Sequence, residues 1–99
     1  MPKIYEYIGY ILFFYANEHL PIHCHIKHQH REVKAEIFYE NGKPFVKFIR
    51  IKGTMLLQTD EIKVIEGFIM KKHKEIVNKW MEFFVKGVKP KVEKINKKI

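Results

Sequence analysis

Three histidines, His19, His23 and His25, fall within seven residues of a 99-residue chain that has six in all. His23 and His25 alternate across Cys24. In a β-strand alternate side chains point to one face, so this pair stands side by side. It could share a metal ion, a phosphate or a proton, and imidazole suits all three tasks near neutral pH. As a metal site, His23 and His25 need a third donor, with Glu18, His19 and Glu36 as the candidates. As a nucleolytic site without metal, His19, His23 and His25 supply base and acid, Glu36 orients His23, and Lys34 or Lys47 balances the phosphorane charge. A third reading is structural: the histidines hold backbone groups around Pro21, and their face binds a protein. No cofactor is expected, a divalent metal being the one candidate. Cys24 falls on the opposite, apolar side, where a thiol's pKa rises and nucleophilic chemistry is disfavoured.

These side chains need strands to position them, and the first half of the chain supplies them. Residues 4–15 are rich in Ile, Tyr and Phe and read as one strand, apolar on both faces. Residues 17–21 break it, and Pro21 suits a strand entry. Asn41-Gly42 is a strong hairpin signal. It sets Glu40 against Lys43, Glu36 against Lys47, Ile37 against Val46 and Ala35 against Phe48, with opposite charges on one face and apolar residues on the other. A short turn at Gln29-His30 sets Ile26 against Val33, Cys24 against Ala35 and Ile22 against Ile37. The outer face then carries a row of His23, Glu36 and Lys47, with His25 opposite Lys34. His28 and His30, in or beside the turn, are expected to titrate freely. If this face is a site, replacing His23 or His25 by alanine should abolish activity or metal uptake and change stability by less than about 1 kcal/mol.

The second half reads as helix. Ile62, Ile65, Ile69, Ile76, Trp80 and Phe83 recur at steps of three and four or their sum. Thr59 or Asp60 serves as N-cap, Gly87 as the stop, and the polar stretch at residues 71–74 as a break between two helices. The expected fold is α+β, an antiparallel sheet of about four strands (residues 4–15, 22–27, 32–39 and 45–51) covered on one face by one or two C-terminal helices over residues 60–86. Residues 1–87 form a single domain, and residues 88–99 a basic flexible tail.

Composition narrows the classes. A hydrophobic fraction of 46% with 14% aromatics indicates a folded domain, not a disordered chain. A single cysteine excludes an internal disulfide and fits the reducing cytoplasm. The apolar run at residues 7–16 is about half the length of a spanning helix, and Glu6 stands where a signal peptide carries positive charge. Neither a membrane segment nor a leader is expected. The formal charge is +8, and residues 86–99 hold six lysines against one acid, Glu93. Lys89, Lys91, Lys94, Lys97 and Lys98, with Lys34 and Lys47 on the sheet, are the candidate contacts to RNA or DNA. The alternative is a solvated lysine-rich end; the scarcity of arginine, only Arg31 and Arg50, favours it. An aromatic outer face near Tyr5, Tyr7 and Phe13 would favour a homodimer.

The opening Met1-Pro2-Lys3-Ile4, the aromatic strand, the block His19-x-Pro21-x-His23-x-His25 and the late Trp80 resemble the small bacterial proteins of domain-of-unknown-function family 4160, over about residues 1–86. Glu18 stands where that pattern has Asp, and Ile22 and Cys24 where it has Pro and Phe. The resemblance implies a component of a toxin–antitoxin-like module, with a cognate small protein similar to domain-of-unknown-function family 2442 as partner. It implies no reaction. The expectation is therefore a small cytoplasmic module component that binds a partner protein and nucleic acid. The alternatives are a nuclease centred on the histidines and a non-catalytic interaction module.

Overall fold

The computed structural model describes residues 2–16 and 19–99. Glu18, a candidate metal ligand, lies outside the described residues. The chain forms β1 (Lys3–Tyr7), β2 (Tyr10–Phe13), β3 (His23–His28), β4 (Arg31–Glu40), β5 (Lys43–Ile49), α1 (Thr59–Phe84) and β6 (Glu93–Ile95). The class is α+β with a C-terminal helix on a sheet. The sheet has six strands, ordered β5-β4-β3-β2-β1-β6, rather than about four.

One extra strand comes from splitting residues 4–15. Ile8 (φ 38) and Gly9 (φ 92) form a two-residue turn, and Tyr7 pairs with Tyr10 across it. Both turn positions need positive φ, which Gly9 adopts readily and Ile8 does not. The run is apolar on both faces because it is a hairpin, with β1 and β2 both inside the sheet. The other extra strand, β6, arises in the segment expected as a tail and pairs parallel to β1. The Ile8 amide donates to the Ile95 carbonyl at 3.1 Å, and the Ile99 amide to the Tyr7 hydroxyl at 3.1 Å.

The two later hairpins follow the side-chain parity. Asn41 (φ 52) and Gly42 (φ 80) make the β4–β5 turn, and Glu40–Lys43, Ile37–Val46 and Ala35–Phe48 are partners. Cys24–Ala35 and Ile26–Val33 pair across the Gln29-His30 turn. The Ile37 amide donates to the Ile22 carbonyl at 2.9 Å, extending that register.

The apolar face packs under α1. Ile65, Phe68, Ile69, Ile76 and Trp80 are buried against Tyr5, Tyr7, Leu12, Cys24, Ile26 and Val33; full burial of one such aliphatic side chain is worth about 2 kcal/mol. Tyr5 and Tyr7, expected on an outer aromatic face, instead point at the helix, where both rings contact Phe68. The helix runs unbroken through residues 71–74, because Ile69 and Ile76 keep one buried stripe on either side of the lysines. Gln58, not Thr59 or Asp60, is the N-cap, and the Glu61 carboxylate accepts from its amide at 2.7 Å.

Candidate functional site

The register delivers the row read from the sequence. His23 is the cross-strand partner of Glu36, Glu36 of Lys47, and His25 of Lys34. The His23 and His25 rings lie 5.4 Å apart, edge to face. They point away from α1, yet they are not exposed: His23 is 4% and His25 6% accessible. β2 places Phe13 against the His25 ring at 5.6 Å, and Tyr15 meets the same ring at 4.4 Å. The Pro21 carbonyl lies 2.7 Å from His23 Nδ1. A carbonyl can only accept, so Nδ1 carries the proton and the ring orientation is fixed. Parity gives the face, but only the fold shows that Phe13, Tyr15 and Pro21 lie against the two rings. The burial removes the exposed setting on which the expectation of a small stability change rests.

An acid that the sequence reading passed over joins them. Glu32 is 6% accessible, accepts from the Tyr15 hydroxyl at 3.1 Å and stands 3.8 Å from His25 Nδ1. It shares the outer parity of Lys34 and Glu36, which was the available signal. His19 is exposed in the β2–β3 connection, and no contact ties it to His23 or His25 among the described residues. Among those residues no three His, Cys, Asp or Glu side chains form a metal-binding group. Cys24 is fully buried, and burial pushes its thiol up to about 12, so it supplies no thiolate.

A second polar cluster sits on the helix side. His28, expected to titrate freely, bonds through Nδ1 to the Glu61 carboxylate. The Tyr10 ring stacks on its imidazole at 4.0 Å, and Arg31 Nη1 stands 3.8 Å from the other Glu61 oxygen. Burial pushes the Glu61 carboxyl up, but the Gln58 amide, His28 and Arg31 outweigh it and hold it below the usual carboxylate range. Tyr10, His28 and Arg31 share one face by parity; their meeting with Glu61 depends on where α1 begins. This arrangement fastens the first turn of the helix to the sheet.

The candidate phosphate-binding lysines fall into two groups towards opposite sides of the sheet, Lys34 and Lys47 on β4 and β5 and the others at and around β6, roughly 20 Å apart at the usual inter-strand spacing. Lys34 pairs with Glu36 at 3.5 Å, and Lys47 lies over the Phe38 ring at 5.4 Å. At the far edge Lys94 stands in β6, Lys97 and Lys98 follow it, and Lys89 and Lys91 line a cavity of about 190 Å³ with Lys79 and Glu82. Lys79 Nζ donates to the Lys91 carbonyl at 3.1 Å, tying this segment to the helix.

No helix is long and apolar enough to cross a membrane among the described residues. Neither the curated proteins nor the solved structures contain a match to the chain. His19, Pro21, His23, His25 and Trp80 all lie within residues 9–82, the stretch matched by the family model described as a domain of unknown function (DUF4160), and the chain belongs to that family.

Proposed function

We propose that this protein is a binding component of a cytoplasmic toxin–antitoxin-like module, recognising nucleic acid and a small cognate protein similar to domain-of-unknown-function family 2442. The observation that carries the nucleic-acid reading is the display of lysine at the β6 edge. Lys89, Lys91, Lys94, Lys97 and Lys98 are all exposed. Their segment is held by β6 pairing, by Lys79 and by the Tyr7 hydroxyl. Charges on a held segment lose less conformational freedom on meeting phosphates than charges on a free tail.

The nuclease reading through His19, His23, His25 and Glu36 has weaker support. A scissile phosphate must touch its base and acid, and burial closes His23 and His25 to a polymer.

The test is salt dependence. Binding of a short RNA or DNA should weaken with salt, by about 0.7 to 0.9 log units per log unit for each phosphate neutralised. Replacing the five lysines by glutamine should flatten that slope by about 4 units. Substitution is preferable to deleting residues 89–99, which would also strip β6 from β1. An unchanged slope would remove this edge from the interface. Failure of the cognate protein to co-purify would refute the module.

A further inference from the structure

The outer face is closed over β2 and β3 but open over β4 and β5. There Phe38 and Phe45 are cross-strand partners whose rings lie 5.5 Å apart and 21° from parallel. Phe45 is 37% exposed, as is Ile49 two positions beyond Lys47. Among the described residues no helix covers these rings, since α1 packs on the other side. The charge on this face is mixed but positive: Lys27, Lys34, Lys43 and Lys47 against Glu36 and Glu40. Lys34 and Glu36 offset each other at 3.5 Å, which leaves Lys27, Lys43 and Lys47 against Glu40, while Glu32 is buried under Tyr15.

We propose that Phe38 and Phe45 form a stacking platform for single-stranded nucleic acid, with Lys34, Lys43 and Lys47 contacting its phosphates. This rests on the nucleic-acid reading above and adds the surface and the strand type. Phe45 is exposed, with Phe38 half-buried beside it and Lys47 over the Phe38 ring; an aromatic ring on an open sheet offers a face to unpaired bases, and stacking tolerates any base because each has a π-face. A duplex keeps its base faces covered and cannot use the rings. Self-pairing through this edge is disfavoured, because an antiparallel copy of β5 would set its own lysines close together and Pro44 lacks an amide for the ladder. A polyanion suits the same lysines.

The experiment uses the full chain with fluorescein-labelled twelve-nucleotide oligo-U, oligo-dT and a duplex of equal length, read by anisotropy at low salt. Phe38→Ala and Phe45→Ala should each weaken single-strand binding about tenfold and leave duplex binding unchanged. Phe45→Leu, which keeps apolar bulk but removes the ring face, should lose as much and guards against a folding defect. Single-strand affinity equal to the parent in Phe45→Leu overturns the platform. If the glutamine substitutions at the β6 edge still flatten the salt slope, the broader nucleic-acid reading survives that failure. No binding of any oligonucleotide by the parent chain ends both. A dimer in sedimentation that Phe45→Leu dissociates, with oligonucleotide affinity unchanged, assigns the patch to self-association and also overturns the proposal.

Discussion

His23 and His25 show how alternation can identify a face without revealing what covers it. Each is enclosed by neighbours that act on its ring: the Pro21 carbonyl on His23, and Phe13 and Tyr15 on His25. Replacing either by alanine leaves a cavity and strands a polar partner, each a recognised source of large losses. We expect His23→Ala and His25→Ala each to cost about 2 kcal/mol in urea unfolding. His30→Ala, at an exposed turn position, should change stability by less than about 0.5 kcal/mol. Equal, small effects at all three would mean that the strand histidines are not packed as described. The register of this region was legible because charge pairing and apolar matching at Glu36–Lys47 and Cys24–Ala35 agree. Burial was not, because Phe13, Tyr15 and Pro21 close on the rings in a way no periodicity encodes.

Among the elements, the β1–β2 hairpin is the one the sequence concealed. Its turn uses Ile8 and Gly9, both at positive φ, where Asn-Gly is the usual pair. A β-branched residue is strained there, and Ile8 is 37% exposed, so little packing compensates. Ile8→Asn should therefore stabilise the protein by about 1 kcal/mol, while Gly9→Ala should destabilise it by at least about 1 kcal/mol. Thermal melts of the two variants moving in the same direction would contradict this turn. At the outer edge of β5, Lys43, Pro44 and Lys47 discourage strand addition, and β6 covers the edge of β1.

In the whole molecule, sheet and helix are joined at the N-terminus of α1 by Glu61 with His28, Arg31 and the Gln58 amide. Because the folded carboxyl sits below the ordinary value of 4.5, the unfolded chain binds its proton first as pH falls. The stabilisation is fully present above that value and is lost as pH drops through the lower folded one. Glu75, lowered mainly by the Tyr5 hydroxyl bond, acts in the same direction. We expect the parent protein to lose more stability than Glu61→Gln between pH 5 and pH 3, roughly the range below the unperturbed carboxylate. Parallel pH profiles from chemical unfolding would exclude Glu61 as this link.

The sequence by itself determined the periodicities: the three-strand register through β3, β4 and β5, the inward Cys24 and the buried stripe of α1, though the helix ends at Phe84 rather than at Gly87. These are local rules, in which a side chain's face follows from position and a turn from two residues. Tertiary structure decided what depends on distant parts of the chain. It buried His23 and His25, brought Glu61 to His28 across 33 positions, set β6 beside β1, and left Phe45 exposed beside the half-buried Phe38. Each of those outcomes depends on which surface is closed by another segment, and alternation within one strand carries no information about that.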